Sequence, residues 1–101
     1  MFKDKALFTL TGITEANEEV VDGAWKMYES HGLPLDMIFD VFIQKKWIPD
    51  WIMLYRHMRT SGMKHDRIFS KLEEAIQDSY GKNYCDVVIF TLDKIFGTIK
   101  T

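Results

Sequence analysis

His31, His57, His65 and Cys85 are the side chains of this 101-residue chain best suited to acid–base or nucleophilic chemistry near neutral pH. Nucleophilic catalysis needs a base within hydrogen-bond reach of a thiol or hydroxyl. A Cys85–His57 pair is conceivable in three dimensions, but no spacing proposes it. His31 and His65 lie beside expected helix ends, where a histidine is usually a solvated polar residue. Cys85 lies in the apolar stretch "NYCDVVIF", where a thiol reads as a small hydrophobe. Metal-ligand patterns are missing: the chain has no HxxxH, no CxxC and no Asp-rich loop around a central glycine. Glu73 and Glu74 are adjacent, diverge on a helix, and read as a solvated face. Neither GxGxxG nor GxxxxGK[ST] occurs, so no phosphate-cradling loop is expected. Catalysis, a metal and a cofactor are therefore all expected to be absent.

Charge carries more information. Residues 1–43 hold three basic against eight acidic side chains, residues 44–71 seven against two, and residues 72–101 three against five. The middle of the chain is a basic island with aromatic residues between the charges. Lys45, Lys46, Trp47, Arg56, Arg59, Lys64 and Arg67 are its candidate partner-binding residues, since rings beside cations can stack bases or anchor a protein. The same pattern also fits a plain solvated face, with Lys45 and Lys46 favoured at a helix C-terminus.

"LTGITEANEEVVDG", Leu10 to Gly23, looks like the approach to a DNA-reading helix. The helix after Gly12 would present Glu15, Glu18, Glu19 and Asp22 to phosphates and be repelled, where affinity usually comes from Lys and Arg. A helix–helix corner is the preferred reading.

The elements that would position these residues all read as helices. Thr14, followed by acids, suits a helix N-cap. Ala16, Val20, Ala24, Trp25 and Tyr28 then form one stripe, interrupted by Gly23 and ended by Gly32. Pro34 opens a helix with Leu35, Ile38, Phe39 and Phe42 on one face. Pro49 opens another, with Trp51, Leu54, Tyr55 and Met58, closed by Gly62. Ile68, Phe69, Leu72, Ala75, Ile76 and Tyr80 line a fourth, closed by Gly81. "VVIFTL", Val87 to Leu92, fits either a helix or a buried strand. Helix is preferred, because a lone strand in a helical chain has nothing to pair with. Residues 2–11 are equally ambiguous and are read as a short helix. Phe39, Phe69 and Leu72 stand at stripe centres and are expected to be buried. Gly32–Phe39 and Gly62–Phe69 echo one another, which common helix-end chemistry explains without a repeat.

The expected fold is thus all-α: a compact bundle of four to six short helices joined by short Gly/Pro turns, with residues 1–101 as a single helical domain. A chain that is 47% hydrophobic and 28% charged is globular rather than disordered. No apolar run exceeds Trp51–Tyr55, no leader opens the chain, and one cysteine suggests a reducing setting, so a soluble cytoplasmic protein without membrane contact is expected. "MRTSGMKHD" resembles the inter-repeat turn of pentatricopeptide proteins. "MYESHGLPLDMIFDVFIQKKWIP" resembles the helix-turn-helix-Pro core of small phage coactivators of RNA polymerase. The first has the wrong period and lacks the rest of that motif, the second covers under a quarter of the chain at generic helix-end positions, and neither assigns the chain to a family. The function expected is a non-enzymatic interaction protein, an adaptor or inhibitor docking on a larger intracellular protein. The alternatives are a nucleic-acid-binding module using residues 44–71, or a self-assembling structural subunit.

Overall fold

The computed structural model describes residues 8–97. The order of elements is β1 (Thr9–Ile13), β2 (Glu19–Asp22), α1 (Ala24–His31), α2 (Leu35–Gln44), β3 (Trp47–Pro49), α3 (Trp51–Thr60), α4 (His65–Tyr80) and α5 (Lys82–Phe96). The chain is therefore mixed α/β, and the all-α expectation is overturned by a three-stranded sheet of order β1-β2-β3. The short helix expected over residues 2–11 is contradicted at Thr9–Thr11, which belong to β1. Its residues 2–7 lie outside those described.

The sheet replaces the first half of the helix expected after Thr14. Thr14 does not cap a helix but closes a hairpin: its hydroxyl accepts from Glu18 N at 3.1 Å, and its N–H donates to Glu18 O at 2.9 Å. Asn17 takes the left-handed conformation, φ 67°, that asparagine tolerates better than most residues. β-Branched Thr9, Thr11, Ile13, Val20 and Val21 suit the pleated pair. β1 runs antiparallel to β2 with a register shift between Leu10 and Gly12, a bulge that bends this edge strand. Gly23 is no flaw inside a helix; at φ 132°, buried, it turns the end of β2 into the start of α1. A side chain there would be strained by the backbone alone.

β3 pairs parallel to β2, Glu19 with Trp47 and Val21 with Pro49. Parallel strands need a long crossover, supplied here by α1 and α2. Lys46, at φ 61°, makes the turn out of α2. Pro49 ends β3 rather than opening a helix. Asp50 caps α3 instead, its Oδ1 accepting from Met53 N at 3.0 Å.

The core is built by side chains of all five helices together with Val21 of β2. α4 and α5 form a hairpin through Gly81, and α2 packs across α4, with Ser79 Oγ donating to Asp36 O at 2.9 Å. Phe39, Phe42, Met58, Ile68, Leu72 and Ile76 are fully buried. Phe69, expected among them, is only half-buried, its ring at 6.1 Å from that of Tyr55 and 4.4 Å from that of His65. It lies in the first turns of α4, beside His65 of the same helix and Tyr55 of α3. Val87–Leu92 is helix, as α5 has the α4 face to pack on.

Candidate functional site

Exposed apolar side chains supply the site. An open groove of about 420 Å³ runs between the hairpin, β3 and α5. Val20 of β2, Ile48 and Pro49 of β3, Trp51 and Ile52 of α3, and Val87, Val88 and Leu92 of α5 form its apolar surface. Thr14, Glu18 and Asp50 edge it on the hairpin side, Tyr84 and Thr91 on the α5 side. Val87 is 62% exposed, and Phe90, three residues further along the same helix, is 65% exposed. Ile52 adds a third exposed apolar side chain.

The groove is held from below by aromatic packing. The Trp51 ring lies 5.2 Å from Phe39, edge-on, and 5.9 Å from Tyr80. Tyr80 stacks on Tyr84 at 4.7 Å, and Trp51 Nε1 donates to the Tyr84 hydroxyl at 3.4 Å. Burial pushes the Tyr84 hydroxyl up from its ordinary pKa, the Trp51 bond opposes this, and the Glu18 carboxylate adds to the rise. Glu18 is thus felt inside the groove. Asp50 is fixed from two sides, accepting from Met53 N and, at 2.7 Å, from the Thr11 hydroxyl. The Asp50 carboxylate therefore links the hairpin to α3.

The sequence-expected residues fall in three places. Lys45 and Lys46 are exposed at the end of α2, and Lys45 Nζ lies 5.3 Å above the ring of Trp47. Trp47 itself is half-buried in β3, with ring centroids of Phe8 at 5.3 Å and Phe42 at 5.6 Å. That indole is a packing residue, which weakens its candidacy as a stacking platform. Arg56 is exposed on α3, while Arg59, half-buried, sits close enough to Tyr55 to lower its hydroxyl pKa against the larger effect of burial. Lys64 and Arg67 are exposed around the start of α4.

The conceivable Cys85–His57 pair finds other partners. Cys85 is fully buried, its Sγ donating to Glu73 O at 3.5 Å, and burial raises its pKa above the ordinary value. His57 Nε2 lies 3.3 Å from Asp22 Oδ2. These two residues edge a second, more polar cavity with Trp25, Lys26 and Glu29. Among the described residues, no three His, Cys, Asp or Glu side chains converge as a metal site would require.

Sequence reasoning missed the groove, though one signal was present. α5 carries Tyr84, Cys85, Val87, Val88, Ile89, Phe90, Leu92, Ile95 and Phe96, more apolar residues than one core-facing stripe can use. Cys85, Val88, Leu92 and Phe96 face the core; Val87 and Phe90 do not. Compared with known protein families, curated proteins and solved structures, the chain matches none. No helix among the described residues is long and apolar enough to cross a membrane.

Proposed function

We propose that this chain is a non-enzymatic interaction protein, an adaptor or inhibitor that docks on a larger protein through the groove between the hairpin and α5. The observation that carries this reading is the 62% exposure of Val87 on the wall of an apolar groove, with Phe90, 65% exposed, further round the same helix and outside the groove lining. Contiguous apolar surface rimmed by polar groups is what an interaction site presents. The core does not need these side chains, so burial inside the chain does not explain them. The cytoplasm is the proposed setting, supported by a lone, buried thiol. In the same proposal, Lys45, Lys46, Arg56, Lys64 and Arg67 form an exposed basic contribution that steers an acidic part of the partner.

The test compares wild type with a Val87→Asp/Phe90→Asp variant as bait in the native host, followed by reconstitution of any retained protein from purified components. Docking predicts a stoichiometric complex that the variant loses while its melting temperature is unchanged. A complex that survives the double substitution overturns the assignment of the groove. A particle of twice 11.9 kDa that forms without other proteins, and is lost in the variant, replaces the adaptor reading with self-assembly.

A further inference from the structure

The groove's charges say what kind of partner segment it takes. Among the described residues, the charged side chains lining it are Glu18 and Asp50, both carboxylates, and no Lys or Arg lines it. The turn that bears Glu18 also bears exposed Glu15, and exposed Glu19 follows it into β2. On α5, Lys82 and Asp86 pair with each other at 3.4 Å and largely cancel. Lys94 lies 5.6 Å from the Phe90 ring centroid. The apolar floor is therefore bounded at its hairpin side by carboxylates: Asp50 is held by hydrogen bonds from Met53 N and the Thr11 hydroxyl, the Glu18 carboxylate accepts from the Thr14 hydroxyl, and among the described residues no Lys or Arg is paired with either. Its walls are open, with Val87 mostly in solvent, so it cannot enclose a small molecule as a ligand pocket does. It can receive one face of a rod-like segment, the arrangement by which an amphipathic helix lies in a hydrophobic groove.

We infer that the occupant is a cationic amphipathic helix of the partner protein, its apolar face on Ile48, Ile52 and Val87 and its Lys or Arg residues beside Glu18. This rests on the docking reading above and adds the chemistry of the partner to it. Apolar contact supplies the affinity, and the carboxylates set the direction in which the helix lies and reject acidic helices. Hot-spot residues in such grooves are large and apolar, while rim charges act on association rate and salt dependence.

The experiment titrates the isotope-labelled full chain by NMR with three synthetic peptides of about five helical turns each. One is an amphipathic Leu/Lys helix, one its Leu/Glu counterpart, and one a Lys-rich peptide without an apolar face. Expected are amide shifts concentrated at residues 14–20, 48–52 and 84–92, with Leu/Lys bound about tenfold or more tighter than Leu/Glu. Added salt should narrow that gap, and so should Glu18→Lys. Val87→Asp should weaken Leu/Lys binding about tenfold. Equal or tighter binding of Leu/Glu overturns the cationic partner but leaves the docking groove standing. Equal binding of the Lys-rich peptide shows attraction by charge alone and also overturns the inference. If neither peptide with an apolar face shifts the groove amides, both the inference and the docking reading fall.

Discussion

The Tyr80 hydroxyl is buried and, among the described residues, has no hydrogen-bond partner, so no such bond offsets its desolvation. Removing only that oxygen keeps the ring stacked on Tyr84 and in edge contact with Trp51. Tyr80→Phe should therefore raise stability by about 1 kcal/mol, read as a higher denaturant midpoint at unchanged slope. Lys46 presents a backbone version of the same situation. It holds φ 61° with a full side chain, in a conformation that glycine adopts freely. Lys46→Gly should be neutral or stabilising, and Lys46→Val should cost about 1–2 kcal/mol in urea unfolding. If Lys46→Val melts like wild type, the turn does not need that conformation.

The elements are joined at a few corners, and those corners carry the groove. Asp50 is the best example, since one carboxylate caps α3 through Met53 N and receives the Thr11 hydroxyl from β1. Asp50→Ala should cost about 1–2 kcal/mol and, in hydrogen exchange, loosen the hairpin as well as the first turn of α3. Loosening of α3 alone would mean that the Thr11 bond contributes nothing. Within the helices, depth of burial sets the cost of truncation. Phe39 is fully buried between α2, Trp51 and Tyr80, and Phe39→Ala should cost about 3–5 kcal/mol. Phe69 is half-buried, and Phe69→Ala should cost clearly less in the same assay. Equal losses would show that Phe69 is as enclosed as Phe39.

At the scale of the whole molecule, the titratable groups among the described residues that are displaced from their ordinary pKa values all move the same way. Burial raises Tyr55, Tyr80, Tyr84 and Cys85. Folding thus favours their neutral forms, and the associated stability is complete below the ordinary values of 9.0 for the thiol and 10.0 for the phenols. It is lost progressively as pH climbs from there through the raised folded values. Denaturant midpoints measured between neutral and strongly alkaline pH should stay level and then fall, with a shallower fall in Tyr80→Phe. A midpoint that stays level into strong alkali would contradict the burial of these groups. The surface charges behave differently. Arg56 and Arg67 are exposed, so Arg56→Glu with Arg67→Glu should change stability by no more than about 0.5 kcal/mol per site. If the basic island steers a partner, the same pair should slow association and alter its salt dependence, as measured by stopped flow.

What the sequence determined by itself is local. Gly32, Gly62 and Gly81 end helices because each sits at positive φ, which most other residues resist. Apolar stripes three and four residues apart place the buried faces of α2, α3 and α4, because helical periodicity is a property of neighbouring residues. The sheet was not legible in this way. Ala16, Val20, Ala24 and Tyr28 satisfy a helical stripe as well as Val20 and Val21 satisfy a strand. The choice between them is made by β3, which pairs with β2 only after α1 and α2 have brought it back. Strand formation depends on such a distant partner, so the argument that a lone strand pairs with nothing holds for Val87–Leu92 and fails for Thr9–Asp22. Asn17 and Gly23 were the local traces of the hairpin, each at a backbone angle unsuited to a helix interior. The groove was still less visible. Its apolar residues come from the hairpin, β3, α3 and α5, and only tertiary packing decides that Val88 turns inward while Val87 is left facing solvent beside Glu18.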